Sequence, residues 1–302
     1  MKTKSYGFTI VELLVVIVVI GILAAITIVS YTGISHKAKI SSLQSDLSNS
    51  SKQLNLFQVE KSTYPTTIST NCSTNPTDAT NLCIKTNSTN TYGYRYYSPN
   101  GYMLVSMNGN TCYSITNNSA PVENCVTIGT QTWMKYNLDV GTIKNYSIDM
   151  ANDSIVEKWC YDNDPVNCTI SGGLYQWNEM MEYSTTPGTQ GIAPTGFHIP
   201  TDAEYTTLIT YLGGEAVAAD KMKKVGHCQG RTPCGTSGWD GLLGGYNYGS
   251  SWFYLGSATD FWSSSQSSVS NAWNRLLYDT DDASYRYDDD KTFGFSVRAI
   301  KD

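Results

Sequence analysis

Apolar side chains are spread very unevenly along the chain. Residues 10–29 form a nearly unbroken apolar run, interrupted by Glu12, Gly21 and Thr27, and no charged residue occurs between positions 13 and 35. A helix of about 20 such residues crosses the hydrocarbon core of a bilayer, so the run predicts a membrane-spanning segment. Beyond it Ile40, Leu43, Leu47, Leu54 and Phe57 recur at helical spacing, which extends the same helix to about residue 60 with one apolar face. Ser62-Thr63-Tyr64-Pro65 then ends it, because proline disfavours helix in the residue before it and lacks a backbone donor.

The pattern changes after that stop. Residues 66–126 are rich in Thr, Asn and Ser, and their apolar and aromatic residues gather at 92–97 and 102–107 around Ser98-Pro99-Asn100-Gly101. Two such runs about a proline-containing turn predict a β-hairpin. Further on, Thr201-Asp202-Ala203-Glu204 has the form of a helix start, a capping Thr with Glu three residues later. It feeds Tyr205, Leu208, Ile209 and Leu212 and stops at Gly213-Gly214. Near the end Phe293, Phe295 and Val297 alternate with Gly294, Ser296 and Arg298, which predicts a half-buried final strand. The fold class expected is α+β: a long helix with a small antiparallel sheet, followed by a larger α+β domain.

Composition sharpens the setting. Only 15% of the 302 residues are charged, while 22 are Tyr and 7 are Trp, which suits β-rich, extracytoplasmic domains. A net charge of −6, from 20 basic and 26 acidic residues, argues against a nucleic-acid partner, because neutralising phosphates needs a basic surface. The one basic cluster, Lys221, Lys223 and Lys224, reads as a solvated helix face. The eight cysteines fall into close pairs: Cys72 with Cys83, Cys112 with Cys125, Cys160 with Cys168, and Cys228 with Cys234. Eight cysteines allow roughly a hundred pairings, so this nearest-neighbour assignment is an expectation. Disulfides place the region outside the cytoplasm. Zinc is disfavoured, since no C-x-x-C occurs and His36, His198 and His227 are not spaced as partner ligands.

Glu12 is the anomaly of the apolar run. A carboxylate there costs roughly 2–3 kcal/mol without a partner, which a plain anchor does not explain, and the apolar run exceeds the ~7–15-residue core of a cleaved secretory signal. The segment Gly7-Phe8-Thr9-Ile10-Val11-Glu12-Leu13-Leu14 resembles the processing motif of type IV prepilins and pseudopilins. The resemblance implies that residues 1–7 are a leader, that a prepilin peptidase cuts after Gly7, and that the new terminal Phe8 is methylated. It also implies that Glu12 pairs with the terminal amine of a neighbouring subunit during assembly, which would offset that cost. The sequence departs from many pilins in lacking a proline near Val29.

From Val126 onward the chain resembles a second family, the Fibrobacter succinogenes major paralogous domain. The blocks that carry it are Ile128-Gly129-Thr130-Gln131-Thr132-Trp133-Met134 with Asn137-Leu138, Gly173-Leu174-Tyr175-Gln176-Trp177, Gly196-Phe197-His198-Ile199-Pro200-Thr201-Asp202-Ala203-Glu204-Tyr205, Phe261-Trp262-Ser263-Ser264-Ser265 and Gly294-Phe295-Ser296-Val297-Arg298. That resemblance implies a C-type lectin-like fold. The organisation expected is therefore a leader at 1–7, an assembly helix at 8–60, a small pilin-like β domain at 61–125 and the paralogous domain at 126–302.

Candidate chemistry is sparse. No hydrolase, zinc-protease or phosphate-loop motif occurs, so no catalytic residue and no enzyme activity are expected, and no cofactor is required. Asp279-Thr280-Asp281-Asp282 and Asp288-Asp289-Asp290 offer carboxylates for calcium, although EF-hand spacing fails at Ala283, and solvated loops are the simpler reading. Trp239, Tyr246, Tyr248, Trp252, Phe253 and Tyr254 offer either a platform for a glycan or surface protein or ordinary core. The functional expectation is a minor or tip pilus subunit, first a single-pass membrane protein and then part of an extracellular filament. Its partners would be the peptidase, other pilins and the inner-membrane assembly machinery, and its last domain would serve adhesion. The alternatives are a pseudopilin of a type II secretion or DNA-uptake system, and a membrane-anchored carbohydrate-binding protein.

Overall fold

The computed structural model describes residues 10–86, 89–98, 101–117, 119–249 and 251–302, and the chain forms two compact units, Met1–Ser42 and Leu43–Asp302. In the first unit the described residues belong to helix α1, Ile10–Lys61. Apolar side chains such as Ile17, Ile20 and Leu23 are more than half exposed there, as befits a surface that meets lipid. Thr27 is tolerated because its hydroxyl donates to the carbonyl of Ala24 at 3.1 Å.

In the second unit, the last part of α1 buries Leu43, Leu47, Leu54 and Phe57, the stripe that the spacing predicts. The helix ends at Ser62, which takes a left-handed φ of 64° just ahead of Pro65. Two short parallel strands follow, β1 (Thr67–Ser69) and β2 (Asn81–Cys83). Then comes an antiparallel sheet of β3 (Thr91–Tyr97), β4 (Gly101–Asn108), β5 (Thr111–Thr116) and β6 (Val122–Glu123). This is the predicted hairpin and more; Pro99 and Asn100 of its turn lie outside the described residues. Ser51 and Tyr102 share a hydrogen bond of 2.8 Å between α1 and β4, and Asp46 accepts one of 2.6 Å from Asn90.

Strands β7 (Cys125–Ile128) and β8 (Gln131–Met134) form the next hairpin, followed by the small pair β9 (Thr142–Ile143) and β10 (Glu157–Lys158). Helix α2 (Pro165–Ser171) is capped by Asp164 and leads through β11 (Leu174–Tyr175) to α3 (Trp177–Met180). After β12 (Phe197–His198), α4 (Asp202–Tyr211) begins on the complete Thr201/Glu204 capping box. Gly213 and Gly214 follow it with φ of 108° and 97°, a conformation that glycine adopts without steric cost. Helix α5 (Ala218–Met222) precedes strands β13 (Gly244–Tyr248), β14 (Ser251–Leu255), β15 (Ala258–Gln266), β16 (Asn271–Tyr278) and β17 (Ser284–Asp290). The short strands β18 (Phe295–Ser296) and β19 (Ile300–Lys301) complete a seven-stranded and a four-stranded sheet respectively.

Strands β15 and β16 carry apolar side chains on both faces. Phe261 and Leu277 join one core with Trp133, Tyr205, Leu208 and Trp239, while Trp262 and Leu276 join another with Trp177, Phe197 and Phe295. That second core also contains Met103, Val105 and Met107 of β4. Tyr97 of β3 donates to the Ile192 carbonyl at 2.8 Å, and Thr195 donates to the Tyr94 carbonyl at 3.0 Å. The change of sequence pattern near residue 126 is therefore not a break in packing.

Two sequence expectations need correction. The closing segment is not a half-buried strand: Ser296 and Arg298 are as fully buried as Phe295 and Val297. Arg298 lies over the Trp239 ring and donates to Asn137 Oδ1 and to the carbonyls of Met134, Lys135 and Trp239. A buried guanidinium with its donors met behaves as core, which alternation alone cannot reveal. Likewise Lys223 is no solvated cation. It is fully buried, paired with Asp220 and hydrogen-bonded to the carbonyls of Tyr278 and Asp281.

Candidate functional site

The first candidate site is the start of α1. Glu12 occupies its first turn, ahead of the exposed apolar stretch. Gly7 and Phe8 lie outside the described residues. Among the described residues α1 is the helix long and apolar enough to cross a membrane.

Four disulfides staple the second unit: Cys72–Cys83, Cys112–Cys125, Cys160–Cys168 and Cys228–Cys234, with Cα separations of 5.4, 5.3, 5.0 and 6.0 Å. The Cys112–Cys125 bridge ties β5 to the first residue of β7. The acidic runs are largely spent on the chain itself. Asp281 accepts from the Ala283 amide and the Tyr285 hydroxyl, Asp288 from Ser267, and Asp290 from both the amide and the hydroxyl of Thr292. No group of three or more His, Cys, Asp or Glu among the described residues is arranged to hold a metal ion.

The aromatic candidates divide. Trp239 is wholly buried and Tyr246 nearly so, whereas Tyr254 is 53% and Phe253 37% exposed. Trp239 packs in the core with Trp133 and Phe261, whereas Tyr246, Tyr248, Phe253 and Tyr254 belong to a tyrosine-rich cluster on β13, β14, β16 and β17. Ring centroids step from Phe293 to Tyr248 (4.6 Å), Tyr246 (4.8 Å), Tyr254 (5.7 Å), Tyr278 (6.2 Å), Tyr285 (6.1 Å) and Tyr287 (6.1 Å). Strand register brings a polar row to the same face. Asp260 lies opposite Leu276, Trp262 opposite Asn274, Asn274 opposite Tyr287, and Ala272 opposite Asp289, and directly opposed residues share a face. Asn274 donates to Asp289 at 2.8 Å. Asp260 is fully buried, and among the described residues neither of its carboxylate oxygens nor the Asn274 carbonyl oxygen has a hydrogen-bond partner. Burial pushes the Asp260 carboxyl well above the ordinary carboxylate range, with repulsion from Asp289 added, and burial likewise raises Asp289.

A cavity of about 210 Å³ is lined by residues including Ser154, Glu179, Glu182 and Tyr183. Burial pushes the Glu179 carboxyl up to about 7, against hydrogen bonds from the Glu157 amide (2.8 Å) and the Tyr183 hydroxyl (3.0 Å). Sequence reading missed Asp260 and Glu179. A signal for Asp260 existed, since it shares the parity of Ala258 and Trp262 in a strand with buried residues on both faces.

Comparison with known proteins agrees with this two-part construction. Residues 2–28 match the prokaryotic N-terminal methylation motif. Residues 126–301, more than half of the chain, match the Fibrobacter succinogenes major domain. The chain belongs to the Fibrobacter succinogenes major domain family and carries the N-terminal segment of a pilin or pseudopilin. Among curated proteins it is similar to type II secretion system core protein G of Dickeya chrysanthemi, 36% identical over 67 residues, and of Klebsiella pneumoniae, 38% over 64. The protein of that name from Vibrio cholerae is 34% identical over 64 residues. These matches cover 21–22% of this chain and 44–46% of each relative, so the chain spans about half the length of the curated relatives it matches. No solved structure matches.

Proposed function

We propose that the chain is a minor or tip subunit of a type IV pilus, made as a prepilin and displaying its C-terminal domain for adhesion or surface recognition. The observation that carries this reading is the methylation motif at 2–28 running into an apolar helix. A prepilin peptidase would release the mature chain after Gly7 and methylate Phe8. Glu12 would then pair with the amine of a neighbouring subunit inside the filament, where each charge offsets the other's desolvation. The disulfides suit the oxidising exterior, and a domain of this bulk favours a low-copy or terminal position. The domain division proposed is the leader, assembly helix, small β region and paralogous domain, with a C-type lectin-like form for the last. The role is structural, with no catalytic step.

The test is Glu12→Ala in the producing cell. The variant is expected to be processed at Gly7, to remain in the membrane fraction, and to disappear from sheared filaments. Normal amounts in the filament fraction would overturn the assembly role of Glu12. A second reading, a pseudopilin of a secretion system, is favoured by the relatives named core protein G. It predicts a secretion defect on deletion and no chain in sheared surface filaments.

A further inference from the structure

We propose that a cavity between the β3–β6 sheet and the segment after β8 binds a neutral sugar ring of a surface glycan. The proposal rests on the recognition half of the function above and is independent of the assembly half. The cavity has a volume of about 350 Å³ and is lined by the end of β3, the start of β4, the end of β5 and residues 139–142. That size falls within the range of small-ligand sites, about 300–1,000 Å³. The three strand ends precede position 126 and the last segment follows it, so neither part of the chain forms the cavity alone. The Cys112–Cys125 bridge and the bond from Tyr97 to the Ile192 carbonyl join the two parts. The Thr142 hydroxyl lies 3.5 Å from the Ser98 carbonyl, where the two sides meet. Walls fixed in this way lose little freedom when a ligand enters.

The lining changes character from its buried to its open side. Tyr97, Tyr102 and Val140 are buried. The tyrosine hydroxyls are engaged away from the cavity, that of Tyr97 with Ile192 and that of Tyr102 with Ser51, each at 2.8 Å. The buried side therefore offers carbon surface. Ser98, Thr116 and Asp139 are half-buried and Thr142 is exposed. Three hydroxyls that both donate and accept thus stand beside one carboxylate.

Charge decides between ligand classes. Among the described residues that line the cavity, Asp139 is the one with a charged side chain. Lys158, itself only 8% exposed, pairs with one Asp139 oxygen at 2.5 Å. The pair is neutral as a unit, so the cavity favours neither an anion nor a free cation. The other Asp139 oxygen is available to a ligand hydroxyl, and a hydrogen bond to an ionised acceptor is stronger than a neutral one. A purely apolar ligand would strip water from that carboxylate and return nothing. A pyranose meets all of these demands. It is uncharged, one face of the ring is C–H surface for the buried side, and its hydroxyls donate to Asp139 while exchanging bonds with Ser98, Thr116 and Thr142.

The experiment titrates the methyl pyranosides of glucose, galactose and mannose, and N-acetylglucosamine, into the full chain in dodecylphosphocholine micelles, a detergent without a sugar headgroup. Saturation-transfer NMR and calorimetry read the binding. The expected result is saturable binding of at least one pyranoside, with none of sodium acetate or n-butylammonium chloride. Thr142→Trp fills the open side from an exposed strand position that favours aromatic residues, and is expected to abolish binding with Tm unchanged. Asp139→Asn keeps an acceptor for Lys158 and should weaken binding about tenfold. Ser98→Ala, which removes one hydroxyl and no packing, should weaken it less. The proposal fails if no pyranoside gives a saturable response, if either ion binds equally, or if Thr142→Trp and Asp139→Asn bind as the native chain does. Filaments that attach cells to a surface while the purified chain binds no pyranoside would overturn the sugar site and leave the recognition reading standing.

Discussion

Glu179 and Arg298 are buried ionisable groups resolved in different ways, and the difference sets their consequences. Arg298 has its donors met and holds its charge. Glu179 keeps two hydrogen bonds, yet burial dominates and its pKa rises to about 7. Because the folded-state pKa lies above the unfolded value, the native state binds the extra proton between the two. Stability is therefore fully present below about pH 4.3, the unfolded carboxyl value, and is lost as pH rises through about 7. Glu179→Gln is expected to remove most of that decline, roughly 3 kcal/mol across the interval. Denaturant midpoints at pH 5 and pH 8 measure it, and a decline unchanged in the variant would assign the pH dependence elsewhere. At this scale the sequence was least legible. The sequence pattern reads Arg298 and Lys223 as solvated because long cations usually are, and only the carbonyls that converge on them make burial tolerable.

Elements were legible where a local chemical device marks them. The stop at Tyr64-Pro65, the hairpin of β3 and β4, and the α4 start at Thr201 each rest on such a device, and the structure has all three. Short strands such as β11, β12 and β18 have two residues each, too few for any periodicity to show. Gly93 illustrates the rest: a Cβ there would come within 2.1 Å of the Thr195 carbonyl oxygen. That close approach lets β3 pack against a loop a hundred residues away, which no local pattern announces. The α4 start gives a direct prediction. Thr201 Oγ1 accepts the Glu204 amide at 3.2 Å, and Glu204 accepts the Thr201 amide at 2.7 Å and His198 Nε2 at 2.9 Å. Thr201→Ala removes one side of the box and should cost about 1 kcal/mol, read as a lowered denaturant midpoint with an unchanged slope. An unaltered midpoint would show that the His198–Glu204 contact alone holds the helix start.

Across the whole molecule, the sequence divides into a methylation motif, an apolar helix and a family domain, while the second unit packs residues from either side of position 126 into a common core. Composition points to an extracytoplasmic setting through its cysteines and low charge. It did not reveal the acidic, tyrosine-covered face, since Asp260 is distant in sequence from Asp289 and only strand order joins them. The central claim is that the first helix is the assembly segment of a processed prepilin. It is tested most directly by mass spectrometry of the N-terminal peptide from filaments sheared off producing cells. The account predicts a mature chain that begins at N-methylated Phe8 in that fraction. An intact Met1, or a cut near Ala24 and Ala25, would contradict it and leave an anchored or secreted surface domain.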